Sequence, residues 1–222
     1  MEILNVRVAR SVWLFDARDL NPNGLSPVPF FSAMKDRYHF LGWPRTPEEL
    51  SWTASSPKGV RFIDGAFTVE DSLRAVSVTF FNDGIIAETG SSTRHSDAFL
   101  EDVLAFASQY FGASPRPDFV HKKQHISELI VRANHDLDRA CEKIAELAVR
   151  LTAISEVADS PFQWFGFELR TDTKVGTPAI PTFKFEREVG VPATLNRYYS
   201  SAGLRTEDHE RLLKDFEDIM TG

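Results

Sequence analysis

Between Val60 and Glu88 the chain alternates apolar and polar residues and twice meets an Asp-Gly dipeptide, at Asp64-Gly65 and Asp83-Gly84. No other feature constrains the fold as strongly. Strand side chains alternate between two faces, and Asp-Gly supplies the positive backbone angles that tight hairpin turns demand. The first hairpin is expected to run Val60-Arg61-Phe62-Ile63, turn at Asp64-Gly65 and return through Ala66-Phe67-Thr68-Val69. The second rises over residues 75–81, turns at Asn82-Asp83-Gly84 and returns over 85–88, with Val76, Val78 and Phe80 on one face. Two hairpins in succession make an antiparallel meander.

The flanking segments add helices and further strands. Leu4, Val6 and Val8 alternate within a strand over residues 3–15, and Asn21-Pro22-Asn23-Gly24 forces a turn. Phe30, Phe31, Met34 and Tyr38 form the apolar face of a short helix opening near Ser26. Residues 42–58 hold Pro44, Pro47, Pro57, Trp43 and Trp52, an irregular connection packed on the core, in which Thr46-Pro47-Glu48-Glu49 opens one helical turn. A helix stripe runs from Phe99 to Phe111, with Ser96 as its cap and Gly112 as its stop. Residues 126–133 read as a strand. Residues 138–154 read as a helix with Cys141, Ile144, Leu147, Ala148, Leu151 and Ile154 inward. Two strands follow over 162–170 and 180–188, and Thr206 caps a helix carrying Leu212, Leu213, Phe216, Ile219 and Met220.

Hairpins outnumber crossovers, so the expected class is α+β, a mostly antiparallel sheet with three main helices packed on it. The chain reads as one domain, 1–222, or as two sub-halves, 1–114 and 115–222, sharing one core. No repeat of fixed period is visible.

Composition narrows the partners. With 42% apolar and 26% charged residues the chain is neither disordered nor membrane-embedded, and it has no run of 18 apolar residues. Its first residues lack a basic stretch followed by an apolar one, so a cytoplasmic location and no membrane partner are expected. A net charge of -7 disfavours nucleic acid, which needs a clustered basic surface. The densest basic patch, Arg116, Lys122 and Lys123 beside His121 and His125, reads as solvated. One cysteine, Cys141, excludes an intramolecular disulfide and a multi-cysteine zinc site.

The motifs that announce chemistry are missing. No phosphate loop, dinucleotide fingerprint or serine nucleophile elbow occurs, and no cofactor is expected. His121 and His125 share a face whether helical or extended, but the intervening lysines oppose a cation, so no metal is expected. One polar segment sits between the second hairpin and a helix: Gly90-Ser91-Ser92-Thr93-Arg94-His95-Ser96-Asp97. Its hydroxyls and carboxylate suit a helix cap. Its catalytic candidates are His95, Ser92 and Asp97, and Arg94 and His95 with the distant Arg197 are candidates for an anionic ligand. A second cluster, Arg197, Tyr198, Tyr199 and Arg205, has the composition of a protein-contact surface, as do Trp43 and Trp52.

The leading expectation is therefore a non-enzymatic interaction or assembly subunit, of a bacterial or phage multiprotein system, binding another protein or itself. The alternatives are an enzyme or anionic small-ligand binder using residues 91–97, and an acidic immunity- or antitoxin-like partner of a basic effector. The 18 phenylalanines pose one further question. Phe80 and Phe81 are neighbours on a strand and must face opposite ways, so the second face of the meander needs a cover or leaves a ring exposed.

Overall fold

A computed structural model of the chain describes residues 1–46, 49–50, 59–112, 118–135, 137, 142–154, 162–170 and 182–221. The elements are β1 (Glu2–Leu14), α1 (Ala17–Leu20), α2 (Val28–Tyr38), β2 (Val60–Val69), β3 (Ser72–Phe81), β4 (Gly84–Thr89) and α3 (Thr93–Phe111). They continue as β5 (Lys122–Arg132), α4 (Glu142–Ile154), β6 (Gly166–Leu169), β7 (Phe183–Arg187), β8 (Arg197–Ala202) and α5 (Thr206–Thr221). All eight strands join one sheet in the order β2-β3-β4-β1-β5-β8-β7-β6. The fold is α+β, as the hairpins imply; among the described residues the three main helices are α3, α4 and α5, α2 is the short helix expected near Ser26, and the single turn α1 is additional. Leaving aside the single turn of α1 and a 3-10 turn at Ala193–Leu195, the order strand, helix, three strands, helix occurs twice among the described residues.

Two compact units divide the chain. The larger comprises Arg7–Ser127 and Leu204–Thr206. Here alternation decides burial: Ala9, Ser11 and Trp13 of β1 are buried while their even-numbered neighbours are only half-buried. Val76, Val78 and Phe80 of β3 are buried against α2 and α3, which contribute Phe30, Phe31, Met34 and Tyr38, and Phe99, Leu100 and Val103. The Phe30 and Phe80 rings meet edge to face at 5.8 Å, a geometry favoured by the ring quadrupoles. On the opposite face Val8, Val12, Phe81 and Ile86 are half-buried and belong to neither core cluster.

The smaller unit comprises Met1–Val6, Glu128–Gly203 and Glu207–Gly222. Its core gathers Leu129 and Val131 of β5, Phe185 of β7, Tyr198 of β8 and Leu213 of α5. Phe185 and Tyr198 stack at 4.6 Å.

Four expectations are corrected. Asp64-Gly65 is not a turn: β2 continues through it as a bulge, pairing Phe62 with Val78 and then Gly65 with Val76. The reversal lies at Glu70 and Asp71, both at positive φ, 49° and 58°, the backbone that a two-residue hairpin turn requires. Both arms pair with β3, and ten-residue strands bury more than two four-residue ones, so pairing overrides the local turn signal. Next, α3 begins a turn early, capped by Ser92 rather than Ser96, and ends at Gly112 with φ 62° as expected. Residues 197–202 form β8, although their polar composition conceals a strand. Finally, Ile144, Leu147, Leu151 and Ile154 of α4 are exposed. The expected start of that helix, with Cys141, lies outside the described residues. Among the described residues no helix is long and apolar enough to cross a membrane.

Candidate functional site

The start of α3 holds most of the predicted site residues. Helix formation leaves its first amides without intrahelical partners, and the sequence supplies a partner for each. Thr93 N–H donates to Thr206 Oγ1 at 3.0 Å, and Thr206 N–H donates back to Thr93 Oγ1 at 3.1 Å. Arg94 N–H donates to Ser92 Oγ at 3.1 Å. His95 and Ser96 N–H both reach Ser92 O, at 3.0 and 3.2 Å. An anion, or an oxyanion formed in a reaction, would have to displace one of these bonds.

The side chains are equally engaged. His95 is buried, with Nδ1 2.9 Å from Ser91 Oγ, which lies 2.6 Å from Thr89 Oγ1. Its Nε2 is 3.5 Å from Glu70 Oε2, and Arg94 pairs with the same carboxylate. The β2–β3 turn at Glu70 and Asp71 thus brings an acid to the imidazole that sequence neighbours did not suggest. Ser92 serves as the cap and Asp97 points elsewhere.

Asp97 accepts from Trp13 Nε1 at 2.8 Å and lies 2.9 Å from His125 Nε2. Burial works to raise its pKa, but bonds from His125, Ser11 and Trp13 outweigh this and hold it below the usual carboxylate value. Lys123 Nζ lies 3.5 Å from the centroid of the Trp13 ring, and Ser11 Oγ meets Ser96 Oγ at 2.7 Å. Sequence reading pairs His125 with His121. Strand alternation does set His125 on the same side as Lys123 and Ser127, but its acidic partner lies 28 residues away. Among the described residues no three His, Cys, Asp or Glu side chains converge on a metal position.

The second cluster is dispersed. Tyr198 is buried in the core, whereas Tyr199 on the other face of β8 is half-buried, with Lys184 Nζ 5.9 Å from its ring. Arg197 pairs with Glu188 at 2.7 Å, and Arg205 is exposed. Trp43 is half-buried between two cations, Lys35 at 4.6 Å and Arg45 at 4.7 Å, beside a cavity of about 340 Å³. Trp52 lies outside the described residues. The acidic face of α5 is interrupted, since Glu217 turns inward.

The apolar stripe of α4 has the spacing of a core face, yet it lies on the outside. Ile144, Leu147, Leu151 and Ile154 are 47, 56, 39 and 76% exposed. The same helix buries Ala148, and Thr152 Oγ1 accepts from Phe162 N–H at 2.8 Å. A stripe at these spacings gives the same periodicity in either case, so the pattern alone could not distinguish core from contact surface. No protein-family model matches this chain, and no curated protein does either.

Proposed function

We propose that this chain is a non-catalytic interaction subunit that docks another protein along α4. The carrying observation is the exposed stripe. Its four large aliphatic residues fall at i, i+3, i+7 and i+10, on one side of the helix, the spacing with which an amphipathic helix enters an apolar groove. A contiguous exposed apolar surface of this kind marks a contact site more often than an ordinary surface. Val149, also exposed, extends the apolar character beyond one seam, which suits a groove enclosing the helix better than a flat contact.

The test is the double variant Leu147→Glu/Leu151→Glu. Wild-type protein purified from its native cells is expected to travel with a partner in native mass spectrometry, and the variant is expected to lose that partner while keeping its circular dichroism and Tm. A wild-type chain that is strictly monomeric and alone, or a variant that retains the partner, overturns the proposal.

A further inference from the structure

The larger unit contains a cavity of about 700 Å³ where β1 ends, within the range of small-ligand sites. Leu14, Phe15 and Ala17 supply its apolar lining. Phe15 is itself buried and its ring lies 5.1 Å from that of Phe119, so this wall is fixed. Three of the lining amides are already bonded within the chain. Phe15 N–H donates to Asp83 O at 3.1 Å, Ala17 N–H to Asn82 O at 3.0 Å, and His121 N–H to Leu14 O at 2.9 Å. Charge recognition falls to the side chains.

The charged side chains divide in two. Asp16 and Arg18 neutralise each other: Arg18 Nε lies 3.0 Å from both Asp16 carboxylate oxygens, and its hydrogen bond brings the Asp16 pKa down to about 2. His121 faces the same carboxylate electrostatically. The remaining lining charges, Asp83 and Lys122, are exposed and make no ion pair among the described residues. One unspent anion and one unspent cation beside an apolar wall match a ligand that carries both charges and an apolar body. A purely anionic ligand would satisfy Lys122 and leave Asp83 opposing it.

We propose that this cavity binds a free α-amino acid with a large apolar side chain. Lys122 receives its carboxylate, Asp83 receives its ammonium, and the side chain rests on Leu14, Phe15 and Ala17. A peptide terminus carries only one of these charges on its end residue and is excluded by the same pairing.

The probes are L-phenylalanine, 3-phenylpropanoate, which lacks the ammonium, and phenethylamine, which lacks the carboxylate. Titration calorimetry on the full chain should show saturable phenylalanine binding, about fivefold tighter than either analogue, the upper end for a charge contact at an exposed position. Asp83→Asn should abolish the preference over 3-phenylpropanoate alone, and Lys122→Gln the preference over phenethylamine alone. Both positions are exposed, and circular dichroism verifies the fold. No saturable binding by phenylalanine, equal binding of either analogue to wild type, or preferences unmoved by the variants overturns the proposal.

Discussion

Asp97 shows how a polar residue is fixed by partners from elsewhere in the chain. It receives the Trp13 indole and faces His125, and its pKa is held below the ordinary value. The native state therefore binds fewer protons than the unfolded chain as pH falls, so this stabilisation is present above the unfolded carboxylate pKa, about 3.9. It is lost as pH falls through the lower native value. Asp97→Asn should cost about 2 kcal/mol at pH 7, the scale of hydrogen bonds to a charged group. In urea melts the gap from wild type should close below the native pKa; a gap independent of pH would show that the charge is not what stabilises. Little of this was legible. The sequence marks residues 91–97 as the opening of a helix, but it puts the cap at Ser96 where the structure puts it at Ser92, and it does not show that Glu70 reaches His95 or that Asp97 turns to Trp13 and His125. Those pairings depend on where a turn falls and which strands lie side by side, and neither is encoded locally.

At the level of elements, local signals succeeded where packing agreed with them. The alternation in β3 and the stop at Gly112 are both present. The reading failed at Asp64-Gly65, where turn-forming residues make a bulge, and at β8, where Ser200 and Ala202 occupy buried positions usually taken by larger side chains. The bulge has a steric signature: a Cβ at Gly65 would lie 2.5 Å from atoms of the Phe40 ring. Phe40 is buried and has little room to yield, so Gly65→Ala should cost about 1–3 kcal/mol in equilibrium unfolding, as overpacking does. Asp71 is the reverse case, since its φ of 58° strains a side-chain-bearing residue. Asp71→Gly should stabilise by about 0.5–1 kcal/mol; a loss at Asp71 or a gain at Gly65 would mean the turn is misplaced. Helices α2 and α4 hold the same place in the doubled order but differ in their apolar faces, buried aromatics in α2 and exposed aliphatics in α4. Periodicity registers an apolar face and is silent on what covers it.

On the scale of the whole molecule, the smaller unit is built from three separated stretches of chain, so its folding rests on long-range closure. Glu217 makes that dependence measurable. It is buried on α5, pairs with the Met1 ammonium, and accepts from Asn134 N–H at 2.5 Å, Asn134 Nδ2 at 3.0 Å and His135 N–H at 3.2 Å. One carboxylate thus links the beginning, middle and end of the unit. Burial alone would raise its pKa; the ammonium and the backbone amides overcome this and hold it below the ordinary glutamate value. Its contribution is therefore complete above the unfolded value of about 4.3 and fades as pH drops through the lower native one. Glu217→Gln keeps the shape but removes the charge, leaving the buried partners poorly matched, and should cost about 3 kcal/mol at neutral pH. Because the bonds are among the longest-range in the unit, they should form late in folding, so the variant should unfold faster with little change in refolding rate. A chevron in which the refolding limb carries the loss would instead place this closure in the folding nucleus.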